Sequence, residues 1–356
     1  MTTTSGAEHD LFLREILEQP RAMRSAADGM LAQQPLLDRV GSMVNESVHP
    51  LVLTGMGSSF DAALALSSVL ARAGRATICV TAAELVHFQL PAIQPGSVVV
   101  IVSQSGLSAE AVRLARQLRE RGRMTIVSIT NGLDSELSRL ADIALDMGAG
   151  TEIGPSTKTF AATMVVLAAL DASIGSEQHD GLTATLMSAR LAADRLELAL
   201  GEPEERAAAV ASWWGDRAGL VFVGRGAGLA AAELAALVIK ESAHVGAFAL
   251  ESAEFRHGPM EMAGPDLAVA IIDIEPVTSH LEEGLAADLK KAGAAVMRIG
   301  IGGEEGRLNR VDPVGHPLLD AALATAPLLL LAWSLSTRIA ASPGAFRVGT
   351  KTTTKE

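Results

Sequence analysis

Apolar and polar positions follow one rhythm along most of the chain: a short, continuous apolar run ends in glycines or hydroxyls, and a longer Ala/Leu-rich stretch of helical period follows. Leu51-Val52-Leu53-Thr54 runs into Gly55-Met56-Gly57-Ser58-Ser59 and then into the segment Ala62–Ala73. That order predicts strand, tight turn, helix. Further strands are expected at Ala76–Val80, Ser97–Val102 and Met124–Ile129, with a helix at Ala109–Arg121 between them. Ahead of them, Phe12–Met43 carries apolar residues at helical spacing and predicts one or two leading helices. Strands alternating with helices define an α/β protein with a doubly wound parallel sheet, flanked by helices on both faces.

The pattern then recurs. Leu220-Val221-Phe222-Val223-Gly224-Arg225-Gly226 matches Leu51 through Gly57 at a spacing of 169 residues. At the same spacing Val98–Val102 falls on Leu267–Ile271, and Met124–Ile129 has a counterpart near Ala294–Ile299. Two copies of one fold in tandem are implied. The copies diverge after the third strand, where the first has Ser103-Gln104-Ser105-Gly106 and the second has Ile272-Asp273-Ile274-Glu275. Polar breaks at Gly175, Ser176, Glu177 and Gly201-Glu202-Pro203 put the boundary near residue 200. The expected division is therefore leading helices over 1–45, a first domain over 46–200, a second over 201–342 and a tail over 343–356. The tail is rich in Thr and Lys, and composition alone would make it disordered.

Composition fits this picture. A chain of 356 residues, 49% apolar and 20% charged, suits two packed domains that need no disulfides. Cys79 is the only cysteine, which agrees with a reducing compartment. Residues 1–20 lack a basic start followed by an apolar core, so a cytoplasmic location is expected. The apolar stretch Leu318–Leu335 is interrupted by Asp320, Thr325, Pro327 and Ser334, and reads as a buried helix rather than a membrane span. A net charge of −12 opposes attraction to nucleic acid or to anionic lipid. Neither is an expected partner.

The Ser103–Ser108 segment places three hydroxyls, an amide and a glycine between a buried strand and a helix. Phosphate is held by such arrangements: oriented N–H donors, the positive end of a helix and hydroxyls at the rim. A hydrophilic turn capped by serine is the simpler alternative, but open α/β sheets bind ligands at the carboxyl ends of their strands. Gly57-Ser58-Ser59 ends a neighbouring strand on that edge. Gly55-Met56-Gly57 also opens like a dinucleotide fingerprint, yet Phe60 stands where the third glycine belongs. No nicotinamide or flavin cofactor is expected.

In the second half, Lys240-Glu241 lies in an Ala/Leu/Val-rich helix whose burial would raise a carboxylate toward the range useful for proton transfer. His257 precedes Gly258-Pro259, a rigid turn able to hold an imidazole. From residue types alone, a catalytic pair and a solvated Glu with a structural His both stay open. His244, Glu251, Glu254 and His257 are poorly spaced for a metal, and no metal is expected. Ser103 lacks the Gly-x-Ser-x-Gly elbow of a hydrolase nucleophile.

Taken in order, these segments resemble the SIS sugar-isomerase family, in particular the isomerase half of glucosamine-6-phosphate synthase and its stand-alone relatives. The resemblance covers almost the whole chain. It includes Glu18-Gln19-Pro20, Gly55–Ser59, Ser103–Gly106, Ile129-Thr130-Asn131, Glu152-Ile153-Gly154, Ser156–Phe160, Lys240-Glu241, His257-Gly258-Pro259 and the tail from Lys351. It implies that Gly57, Ser58, Ser59, Ser103, Gln104, Ser105, Ser108 and Ser156 hold the phosphate and nearby sugar hydroxyls. It implies further that Glu241 moves a proton between C1 and C2, that His257 opens the sugar ring from the neighbouring subunit of a homodimer, and that Lys351 forms a Schiff base with a ketose.

Two departures qualify the transfer. The synthase begins with a glutaminase domain, whereas Met1-Thr2-Thr3 leads directly into the first helix, so glutamine is not the expected nitrogen source. Val238 stands where the synthase has a lysine, three positions before its catalytic glutamate. The expected activity is an isomerising deaminase acting on an amino-sugar 6-phosphate, glucosamine 6-phosphate foremost, to give a ketose 6-phosphate and ammonia. An aldose–ketose isomerase or a fructose-amine 6-phosphate deglycase would use the same base, and a non-catalytic sugar-phosphate sensor is the alternative from another class. No helix-turn-helix precedes the first domain, which disfavours a DNA-binding regulator.

Overall fold

A computed structural model of the protein describes residues 10–175, 180–301, 310–339 and 342–355. The expected breaks at Ser176 and Glu177 and the Met1–Thr3 start lie outside the described residues.

Three leading helices form where one or two were expected: α1 (Leu11–Leu17), α2 (Gln19–Ala32) and α3 (Gln34–Glu46). Pro20 and Pro35 sit in the first turns of α2 and α3. A missing N–H costs nothing there, so each proline divides the run without breaking it.

The first sheet contains β1 (Leu51–Thr54), β2 (Thr77–Cys79), β3 (Val98–Val102), β4 (Thr125–Thr130) and β5 (Ile143–Asp146) in the order β2-β1-β3-β4-β5, all parallel. Its helices are α4 (Ser58–Arg72), the short α5 (Ala82–Glu84), α6 (Ala109–Arg121) and α7 (Glu136–Leu140). Three helices follow: α8 (Lys158–Gly175), α9 (Asp180–Ala199) and α10 (Pro203–Trp214).

The second sheet contains β6 (Gly219–Gly224), β7 (Phe248–Glu251), β8 (Leu267–Asp273) and β9 (Ala295–Gly300), in the order β7-β6-β8-β9 and again parallel. Between its strands lie α11 (Ala227–Ala243), α12 (Ser252–Arg256) and α13 (Ser279–Lys291), and α14 (Pro317–Ile339) follows. The strand order of the first sheet thus recurs, with β5 lacking a counterpart among the described residues. Alternation along the strands explains the layers. Leu51, Leu53, Val98 and Val100 join Leu220, Phe222, Ala268 and Ala270 in one continuous core between the sheets, whereas Val52, Val99 and Ile101, and Val221, Val269 and Ile271, face two outer clusters.

That central core contains α8 and α14, both apolar on nearly every side. These two helices are long and apolar enough to cross a bilayer, but 78% and 89% of their most apolar windows are buried inside the protein. Burial on all sides is what an all-round apolar helix requires. One ion pair, Arg72 Nη1 to Glu275 Oε2 at 2.6 Å, ties α4 of the first half to the end of β8.

Candidate active site

In the first sheet the order of strand addition reverses between β1 and β3, so that the helices that follow them pack on opposite faces and open a crevice at the strand ends. Gly57 closes β1 with φ of +53° and leads into α4, whose first turn contains Ser58 and Ser59. Gly106, with φ of +61°, turns the chain after β3; a Cβ there would lie 2.1 Å from Ser135 Oγ, so only glycine fits. Ser108 then occupies the N-cap position of α6. Two helix N-termini, of 15 and 13 residues, converge on one crevice and lend it their partial positive charge.

A cavity of about 250 Å³ occupies this crevice. Its floor is made by Gly57, Ser58, Ser59, Gln104, Ser105 and Ser108. Ser156 lines another side, and Glu241 and Leu237 enter from α11. The tail closes the top through Phe346, Thr350, Lys351 and Thr353. It is anchored where Ala109 N–H donates to the Thr353 carbonyl at 3.0 Å, at the start of α6. The tail therefore owes its path to this backbone bond and to Lys351, neither of which composition reveals.

Ser103 takes a different place from the one the sequence suggests. It is buried beneath the cavity, with its Oγ 3.3 Å from Ser108 Oγ, and supports the rim rather than lining it. His257 is exposed at the end of α12 and does not line the cavity of its own chain. Among the described residues no group of three or more His, Cys, Asp or Glu is arranged to hold a metal ion. Glu251, one of the residues weighed for that role, is instead engaged with Arg225 and with the N–H groups of Ala253 and Glu254.

Glu241 is half-buried, and burial pushes its carboxyl up to about 6; Lys351 opposes that rise, Glu152 adds to it and Lys240 opposes it. A carboxyl titrating there is a carboxylate at neutral pH yet can still take and return a proton. Val238, one turn back from Glu241, is fully buried in the core, which accounts for an apolar residue at that position.

Glu152 is the residue that pattern reading undervalued. Its buried carboxylate accepts from Thr157 N–H at 2.9 Å, Thr157 Oγ1 at 2.9 Å, Thr159 N–H at 3.1 Å and Thr159 Oγ1, and so caps the start of α8. The remaining donor is Lys351 Nζ at 2.6 Å. These bonds engage both carboxylate oxygens and fix Lys351 Nζ beside the cavity. The preceding helices brace this loop: Glu15 accepts from the N–H groups of Ile153 and Gly154, at 2.6 and 2.9 Å, and Glu18 pairs with Lys158. Asp61, in the first turn of α4, also escaped notice. Burial raises it well above the usual carboxylate range; Glu233 adds to this, Lys240 opposes it and Glu241 adds again.

The SIS domain family matches residues 46–172, which hold the first sheet and the phosphate-type turn. This chain is a SIS-domain protein. It is 33% identical over 362 residues to a glutamine–fructose-6-phosphate aminotransferase (isomerizing) of Aeropyrum pernix, an alignment that covers 97% of this chain and 57% of the relative. The chain thus spans little more than half the length of that relative. Among solved structures, the C-terminal domain of the Francisella tularensis glucosamine-fructose-6-phosphate aminotransferase superposes with a TM-score of 0.81 at 22% identity, covering 95% of this chain and 98% of that one. A glucosamine-6-phosphate deaminase of Thermotoga maritima gives 0.74 at 19% identity, over 96% and 99% of the two chains. At these identities both structures speak to the fold, and both contain the SIS protein's two-sheet arrangement over nearly its full length.

Proposed function

We propose that this SIS protein is a phosphosugar isomerase of the deaminating kind, which converts an amino-sugar 6-phosphate, glucosamine 6-phosphate foremost, to the ketose 6-phosphate and ammonia. The observation that carries the reading is Glu241: a carboxyl raised to about 6, facing a hydroxyl-lined crevice between two helix N-termini.

In this reading the chain holds two tandem SIS units that divide near residue 200, the first binding phosphate and the second supplying the base. Ser58, Ser59, Gln104, Ser105, Ser108 and Ser156 bind the phosphate and sugar hydroxyls, with Gly57 leaving room for the anion. Once the ring is open, Glu241 takes the C2 proton of the aldehyde and returns it to C1. The C1–O group becomes an alcohol and C2 becomes a ketimine. Water adds to C2 and ammonia leaves, so that substrate and one water give ketose phosphate and ammonia. Lys351, positioned by Glu152, stabilises the negative charge that develops on oxygen during enolisation. Ring opening falls to His257 of the partner subunit, which makes the working unit a homodimer. The Aeropyrum relative is named as an isomerizing glutamine–fructose-6-phosphate aminotransferase and the Thermotoga neighbour as a glucosamine-6-phosphate deaminase, which supports the reading.

The test is release of ammonia and ketose phosphate from a panel of 2-amino and 1-amino sugar phosphates. Turnover of glucosamine 6-phosphate that falls about 10²- to 10⁴-fold in Glu241→Gln is the expected result. A native protein that releases no ammonia from any member overturns the reading.

A further inference from the structure

A separate cavity, of about 210 Å³, lies where α9, α10, α14 and residues 310–312 meet, and it shares no lining residue with the active-site cavity. Among the described residues three arginines line it: Arg195 from α9, Arg206 from α10 and Arg310 from the segment beside β9. One carboxylate, Asp312, stands against them. In a chain with a net charge of −12, three cations on one small cavity are the reverse of what composition supplies. Their donors are only partly used. Arg195 donates through Nη1 alone, to the carbonyls of Asp312 and Pro313 at 2.7 and 2.5 Å. Asp320, whose carboxyl also feels Arg195, is turned to the N–H groups of Val314 and Gly315. Arg310 donates from Nη1 to the Ile301 carbonyl at 3.1 Å, and its Nε meets Asp312 Oδ1 at a long 3.4 Å. The Arg206 guanidinium has no hydrogen-bond or ion-pair partner among the described residues, and its Nε is buried.

We propose that this cavity binds a phosphate group, free or esterified to a short carbon chain, at a site distinct from the active-site crevice. The proposal does not depend on the reaction proposed above. A buried cation without a partner is costly, and guanidinium groups gathered on one cavity repel one another. A phosphate relieves both: it presents three acceptor oxygens to donors that arrive from three different elements, where a carboxylate presents two. The frame is fixed before the ligand arrives. Val311 N–H donates to the Gly300 carbonyl at 3.1 Å, which holds Arg310 against the end of β9, and Arg195 secures the next two carbonyls. Leu198, Ala199 and Leu323 give the cavity an apolar side with room for a few carbon atoms. The acidic chain opposes nucleic acid as the source of the phosphate. Bound here, the group ties α9 and α10 to the edge of the second sheet, so its binding stabilises the fold.

Thermal unfolding of the full chain tests this with inorganic phosphate, glycerol 3-phosphate and malonate, each compared with sodium chloride at the same ionic strength. Because the serine-lined crevice also suits phosphate, S59A/S105A is measured beside R206M/R310Q. Saturating phosphate is expected to raise the melting temperature by about 2 °C or more in the native protein and in S59A/S105A, and to leave R206M/R310Q with less than half of that shift. In sodium chloride alone R206M/R310Q should melt no lower than the native protein, since the substitutions remove repulsion. If the double variant does not fold, Arg206→Met alone carries the test, with the same halving expected. A larger shift with glycerol 3-phosphate assigns the apolar side to an ester and a larger shift with inorganic phosphate assigns the site to the free ion; both support the proposal. No shift in the native protein overturns it, as does a shift that survives the arginine substitutions. So does a shift abolished by S59A/S105A, which would place all phosphate in the crevice, or one that malonate matches, which would make the site a general anion site.

Discussion

The two sheet edges begin alike and end as opposites. Gly57 and Gly226 close the first strand of each sheet with nearly the same backbone, φ +53° and ψ −136° against φ +53° and ψ −128°, and each leads into a helix. At the first edge a Cβ on Gly57 would meet nothing nearer than Leu237 Cδ2 at 3.7 Å. At the second, a Cβ on Gly226 would lie 2.9 Å from Glu275 Oε1, because that side chain fills the space before the helix. Around it, Arg225 bonds Glu282 and Glu251, each at 2.9 Å, and Arg298 pairs with Asp273, which also accepts from Ser279 Oγ at 2.8 Å. One edge keeps hydroxyls and open space. The other satisfies its helix end and its charges with its own carboxylates, and can hand α11 to the first edge as the carrier of Glu241.

The largest expected effect lies at the filled edge. Asp273→Ala removes the buried carboxylate on which Arg298 and Ser279 Oγ converge, and breaking a buried pair in this way costs about 3–5 kcal/mol of stability. Chemical denaturation should show that loss while KM for the sugar phosphate stays within twofold; a large KM change with intact stability would break the contrast between the edges. The open edge should respond in the reverse sense. Ser59→Ala removes one hydroxyl from the cavity floor and is expected to raise KM about tenfold, the equivalent of a charge-assisted hydrogen bond of about 1.5 kcal/mol, with the unfolding midpoint unchanged.

A smaller effect concerns pH. Burial favours the neutral form of Glu241, so the folded protein holds that proton more tightly than the unfolded chain, whose value is near the ordinary 4.5. The resulting stability is fully present below pH 4.5 and is lost as pH rises through about 6. Glu241→Gln should therefore raise the melting temperature at pH 8 relative to the native protein and leave it little changed at pH 4. In the native protein kcat/KM should rise through about pH 6 as the carboxylate forms, and a flat profile there would remove Glu241 as the base.

Much of the open edge is legible in the sequence, because strand, turn and helix are written in adjacent residues. Gly55–Ser59, Ser103–Ser108 and the helix that holds Glu241 are local patterns, and the second set of strands follows from their repetition at 169 residues. Contacts made across the chain are not legible in this way. Lys351 reaches Glu152, a carboxylate 199 residues earlier, while the other donors to Glu152 lie only five and seven residues on. Arg225 and Glu282 are 57 residues apart, so the filling of the second edge is invisible to any window of helical or strand period. Ser103 shows that a local pattern does not give a side chain's depth, since this serine is buried with its Oγ 3.3 Å from Ser108 Oγ. β5 and β7 went unforeseen because strands of four residues, half-buried, offer too few positions to set a rhythm.

The central claim is that Glu241 moves a proton between neighbouring carbons of a sugar phosphate held at the first edge. Proton NMR of glucosamine 6-phosphate and fructose 6-phosphate incubated with the protein in deuterium oxide tests it whatever the leaving group. The account predicts deuterium at C1 or C2 of substrate or product with the native protein, and loss of that label by at least about a hundredfold in Glu241→Gln. No exchange into either sugar phosphate, or exchange at the native rate in the variant, would contradict it.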